Sequence, residues 1–118
     1  MDPTIINPEA IQRLEEWGGA DLVEQMVRLF LQNSPERMEQ IRAVFREDPG
    51  TVPERGSHSL KSSAANVGAD RVREVAGRIE LAASDGDFDQ VRVLVPELEG
   101  VYEEAIRELG SILQGTVE

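Results

Sequence analysis

The chain has 118 residues, with 12 basic and 23 acidic side chains, one histidine, no cysteine and a formal net charge of −11. That length suffices for one domain with its own core and is too short for two ordinary ones. The charge argues against a nucleic-acid partner, because phosphate backbones would be repelled. Without cysteine there is no disulfide framework, thiol nucleophile or thiolate zinc site. No apolar run approaches the roughly 20 residues that span a bilayer, and the N-terminus lacks the basic-then-apolar order of a signal peptide. A cytoplasmic protein without a membrane partner is expected. Aromatic residues make up only 4%, so the core must come from Leu, Val, Ile and Ala, which suits packed helices.

Met1 to Ile6 are expected to be loose. Asn7 as N-cap, Pro8 at the first helical position and Glu9 in the first turn open a short lid helix over about 8-17. Ile11, Leu14 and Trp17 form its apolar stripe, with Trp17 expected as a packing anchor, and Gly18 and Gly19 end it. A second helix over about 21-47 starts at Asp21, with Glu24 completing an acidic capping box. Val23, Met26, Phe30, Met38, Ile41 and Phe45 follow the helical period. Pro35 interrupts the segment, yet the stripe continues in phase, so one bent helix is expected. Val27 and Leu31 widen the apolar face. They either pack under the lid or stay open as part of a docking surface, since exposed apolar patches mark partner sites.

Asp48, Pro49 and Gly50 form a turn, and Thr51 or Val52 with Pro53 opens a helix over about 51-67. Its stripe of Leu60, Ala64 and Val67 should face the core. His58 lies off that stripe. Lys61 and Ser62 stand beside it, with Glu54 and Arg55 one turn earlier, so the imidazole is expected to be wet. Arg55 and Lys61 outnumber Glu54, which predicts a small positive patch. Gly68 is the helix stop. Asp70 is expected to cap a helix over about 70-84, carrying Val72, Val75, Ala76, Ile79, Ala82 and Ala83 on one side. Ser84 to Asp87 make the next turn, and a last helix runs over about 87-113, with Pro96 expected to bend or break it. Thr116 to Glu118 are expected to fray. No repeat appears. A lid and four helices joined by brief turns predict an all-α, antiparallel four-helix bundle, one domain over 1-118.

The run from His58 to Ala69, HSLKSSAANVGA, resembles the signature of histidine-containing phosphotransfer (HPt) domains, H-x-L-K-G-S-[SA]-x-x-[LIV]-G-A. His58, Leu60, Lys61, Ser63, Ala64, Val67, Gly68 and Ala69 match it. Ser62 stands where the family usually has glycine, and narrows the approach to the imidazole only slightly. The Gly-Gly-Ala-Asp entry, LFLQNSPERM and ELAASDGDFDQV are also similar to that family, so the likeness covers about Asn7 to Leu113. It implies a four-helix bundle in which His58 accepts a phosphoryl group from a receiver-domain aspartate and passes it to another. The resemblance makes Lys61 the electrostatic helper; the neighbouring Ser62 and Ser63 hydroxyls can donate hydrogen bonds to the phosphoryl oxygens if they reach. Arg55, Ser59, Ser62, Val27, Leu31 and Ile11 are the candidates for receiver docking. The implied partners are the receiver domains of a hybrid histidine kinase and a response regulator, with Mg2+ supplied by the receiver.

An unperturbed imidazole, with a pKa near about 6.5, is a competent nucleophile around neutral pH through its unprotonated nitrogen. Phosphoryl transfer has a loose transition state, in which protein groups mainly position reactants and balance charge. The chain has no phosphate-binding glycine loop, so it should be a carrier with no cofactor of its own and not an autonomous enzyme. A metal site is disfavoured: no second histidine or cysteine accompanies His58, and Lys61 would oppose a cation. A serine hydrolase lacks an oriented acid partner and an oxyanion loop. Two alternatives stay open: an adaptor that binds receivers without transfer, and the phosphotransfer domain of a chemotaxis-type kinase, which normally belongs to a longer chain. Length and the initial methionine favour a free-standing relay, and a monomer is expected because His58 must remain open to successive partners.

Overall fold

The computed structural model describes residues 5–117, with side chains described for residues 5–115. The expectations for Met1 to Thr4 and for Glu118 lie outside the described residues. In chain order the helices are α1 (Pro8–Arg42), a 3-10 turn (Ala43–Phe45), α2 (Val52–Asn66), α3 (Asp70–Ser84) and α4 (Phe88–Val117). The protein is an all-α four-helix bundle. Each of α2 and α4 packs against both α1 and α3, which closes the ring.

Gly19 divides α1. Its φ of 71° and ψ of −167° are non-helical, a conformation open to a residue without Cβ. The lid arm, residues 8–18, therefore meets the long arm, residues 20–42, at the glycine pair that the sequence reading placed between them. Pro35 sits inside the long arm, so the continuous apolar stripe prevails over the break that Ser34-Pro35 could have made. Ser34 is buried, and its hydroxyl shares a 2.8 Å hydrogen bond with the Tyr102 hydroxyl of α4. Pro96 likewise lies inside an unbroken α4. This last helix runs through Val117, beyond the fraying expected from Thr116.

The core is aliphatic, as the composition requires. Val23, Val27, Met38 and Ile41 of α1, Leu60 of α2, Val72 and Ile79 of α3, and Val91, Leu98 and Leu109 of α4 are all at most 1% exposed. Three expected positions differ. Ile6 is buried at 3% exposure, so the chain is anchored before the lid begins. Trp17 is 71% exposed and not a packing anchor. Phe45 is 58% exposed, because α1 ends at Arg42 and tightens into the 3-10 turn. The change from 3.6 to 3.0 residues per turn shifts the stripe, and Ala43 and Val44 are buried in its place.

The lid is fastened to the turn between α2 and α3. Asn7 caps α1 through its side-chain oxygen, which accepts from the Glu9 N–H at 2.9 Å. Its own N–H donates to the Gly68 carbonyl at 2.8 Å, and its side-chain amide donates to the Asp70 carboxylate at 3.1 Å. Asp70 is thus not the cap of α3: Ala69 takes that position, and the carboxylate serves the lid. Gly68 has a φ of 75°, and the Ala69 N–H reaches back to the Ala64 carbonyl at 2.9 Å, the bonding pattern of a glycine-terminated helix. A Cβ at Gly68 would fall 2.7 Å from the Ala10 Cβ and 2.9 Å from the Asn7 carbonyl oxygen. Gly68→Ala is expected to cost about 2–4 kcal/mol, from left-handed strain plus overpacking, read as a lowered urea midpoint. Asn7→Ala should cost about 1 kcal/mol.

Candidate functional site

The site follows from how α2 is seated. A Cβ at Gly56 would come 2.7 Å from the Gln40 Cβ, so α2 lies directly on α1 there. Ser57 is fully buried and its hydroxyl donates to the Glu54 carbonyl at 3.0 Å. Leu60 is fully buried as well. With these residues turned inward, His58 points outward, and its side chain is 62% exposed.

The ring does not stand alone. Its Nδ1 lies 2.7 Å from one carboxylate oxygen of Glu80 on α3, and the other oxygen of Glu80 takes Lys61 Nζ at 2.6 Å. Glu80 is 22% exposed. Its carboxyl is held below the usual carboxylate range, chiefly by the hydrogen bond from Lys61; burial opposes this and the bond from His58 adds to it. A carboxylate only accepts hydrogen bonds, so the nitrogen facing it carries the proton. The neutral ring therefore donates from Nδ1 and keeps its lone pair on Nε2, away from Glu80.

Lys61 sits at the side of this arrangement, its stem passing over Gly77, where a Cβ would stand an ordinary 3.5 Å from Lys61 Cδ. Ser62, one turn beyond His58, and Arg55, one turn before it, are both exposed. Glu54 is half-buried and lines a shallow dent with Lys61, Gly77 and Glu80. Counting Glu80, two cations face two carboxylates, so the expected positive patch is electrostatically balanced. Arg55 makes no ion pair among the described residues.

Other candidates lie elsewhere. Ser63 is five residues past His58, about 140° around the helix. Its hydroxyl donates to the carbonyls of Ser59 at 2.9 Å and Leu60 at 3.3 Å, and it lines a hollow with Met26, Leu29, Phe30 and Asn33 of α1. It faces α1 and not the imidazole. Ser59 is half-buried. Val27 is 0% exposed, which removes it from any docking surface; it belongs to the core stripe. Leu31 is half-buried on the same flank of α1 as Arg42, which pairs with Glu99 of α4 at 2.8 Å, so it is turned away from α2. Ile11 is half-buried in the lid arm, beside Ala10, which touches the Gly68 end of α2. Two large exposed apolar side chains of α1, Leu29 and Trp17, each line a hollow between α1 and α2.

Glu80 was missed because it is 22 residues from His58. The sequence did carry a signal. In an antiparallel hairpin turning at Ala69, residues equidistant from the turn meet: His58 and Glu80 are each eleven positions away, Lys61 and Gly77 each eight.

Residues 25–110 match the sequence profile described as Hpt domain. The chain belongs to the Hpt domain family. Two proteins named Phosphorelay protein LuxU, from Vibrio vulnificus strains YJ016 and CMCP6, are each 29% identical to it over 100 residues, covering 84% of this chain and 87% of theirs. No solved structure gives a significant match. As an Hpt domain the protein has a histidine phosphotransfer role in a phosphorelay, as a carrier of phosphohistidine. No helix among the described residues is long and apolar enough to cross a membrane.

The Glu80 contacts give the Hpt domain a pH signature. A carboxyl whose folded pKa lies below its unfolded value stabilises the fold fully above the unfolded value and loses that contribution as pH falls through the folded one. With an ordinary value of 4.5 and a lowered folded one, the stability margin of wild type over Glu80→Gln should shrink as pH falls below about 4.5. Urea midpoints taken below that value check it; a margin that stays level or grows as pH falls further would contradict the assignment.

Proposed function

We propose that His58 receives a phosphoryl group on Nε2 from an aspartyl phosphate of a hybrid kinase's receiver domain and delivers it to a receiver aspartate of a response regulator. The observation that carries this reading is the exposed ring with Nδ1 committed to Glu80. Membership of the Hpt domain family and likeness to proteins named for a phosphorelay support it. In the forward step the Nε2 lone pair forms the N–P bond while the acyl P–O bond breaks, and its electron pair stays with the receiver's carboxylate. Because the transition state is loose, the demand on this chain is a ring already oriented and positive charge within reach. Arg55 flanks the ring for that purpose, Lys61 on the other side is held by Glu80, and the Ser62 hydroxyl lies on the approach side. The receiver brings the acidic pocket and a magnesium ion that offsets phosphoryl charge.

Docking would use the face around His58, with Arg55 and Ser62 at its centre and Leu29 of α1 at its edge. A monomer in the cytoplasm suits this use, because one exposed ring must meet two partners in turn. Purified phosphorylated receivers should label the wild type with acid-labile phosphate and leave His58→Gln unlabelled. Binding without label would make the protein an adaptor; direct labelling by a kinase catalytic domain with ATP, and none by receivers, would place it in the chemotaxis-type group. Ser62→Gly should transfer within about twofold of wild type, whereas Ser62→Trp should lower transfer by at least about tenfold through lost docking. Undiminished transfer by the tryptophan variant would contradict this approach path.

A further inference from the structure

The Glu80 carboxylate touches both the nucleophile and the cation that would greet the incoming phosphoryl group. Before transfer those contacts are compatible. Afterwards they compete: a phosphoryl group on Nε2 brings about two negative charges, and Lys61, whose stem crosses Gly77 toward α3, is already neutralised at 2.6 Å by Glu80. Neither Arg55 nor Ser62 has a contact that fixes it against the ring.

We infer that Glu80 is a positioning residue that keeps the phosphohistidine labile, by withholding Lys61 from the phosphoryl oxygens and by keeping the proton on Nδ1. This rests on the phosphotransfer reading and extends it to how readily the group leaves. The chemistry of departure supports the second half. When the N–P bond breaks, its electron pair returns to Nε2. With Nδ1 protonated, the leaving ring is a neutral imidazole; without that proton it would leave as an anion. A carboxylate at 2.7 Å from Nδ1 holds the proton where departure needs it. Both effects of Glu80 act in one direction, toward a carrier that releases its cargo easily. A relay that must pass the group back to a carboxylate, forming a high-energy acyl phosphate, benefits from such a poise.

The test separates charge from shape. Glu80→Gln keeps a side-chain oxygen able to accept from Nδ1–H, but removes the charge and frees Lys61. Wild type and variant are loaded with phosphoramidate, whose N–P bond breaks as the new one forms and whose nitrogen leaves as ammonia. The decay of the single phosphohistidine is then followed by phosphorus NMR at pH 7.5. The half-life in Glu80→Gln should be about three to ten times longer than in wild type. Glu80→Ala, which retains the helix but no acceptor, should also decay more slowly. In a Lys61→Met background the lengthening caused by Glu80→Gln should shrink, since the released cation is absent. An unchanged or shorter half-life in folded Glu80→Gln would overturn the inference. Loading with phosphoramidate needs no partner, so this failure is distinct from failure of receivers to label His58.

Discussion

A single carboxylate joins the two halves of the site. Glu80 extends from α3 to hold His58 Nδ1 at 2.7 Å and Lys61 Nζ at 2.6 Å, and everything the ring can do follows from that pairing. It selects the tautomer, aims the free nitrogen outward and balances the local charge. Its reach depends on the register of α2 against α3. That register is set by the short turn at Gly68, where a positive φ ends one helix and the next begins at Asp70. Asn7 grips the same turn from the lid. A fastening about eleven residues from the histidine thus contributes to the geometry of the imidazole.

The bundle presents His58 by burying what surrounds it on the inner face. Gly56 lets α2 approach α1 closely, Ser57 satisfies its hydroxyl within its own helix, and Leu60 enters the core. Burial of these neighbours fixes how α2 presents the side chain and leaves it freedom about its own bonds. The carboxylate of Glu80 then restricts that freedom further. A group oriented in advance lowers the entropic cost of reaching a loose transition state, which suits a protein that contributes position more than chemistry.

Much of this was legible in the sequence. The apolar periods, Pro8 after Asn7, the glycine pair at 18 and 19, and Gly68 marked four helices and a lid, because each acts through local backbone preference. The errors came where tertiary geometry decides. Phe45 left the stripe when the helix tightened at Ala43. Trp17, an apolar residue at helical spacing, stayed in water on the lid. Ser63 was grouped with Ser62 by adjacency, although one residue turns a side chain by about 100° and here directs it toward α1. Val27 was given a surface role that its place in the core stripe forbids. Glu80 was invisible to motif spacing, since it belongs to a different helix. Counting outward from the α2–α3 turn would have found it.

The account turns on which ring nitrogen is free. Long-range proton–nitrogen correlation spectra of ring-labelled protein near pH 7.5, before and after loading with phosphoramidate, read this directly. The account predicts a neutral ring with its proton on Nδ1, facing Glu80, and phosphorus bonded to Nε2 after loading. A proton on Nε2 in the unloaded protein, or phosphorus bonded to Nδ1, would show that Glu80 does not hold the ring in solution and would contradict the central claim.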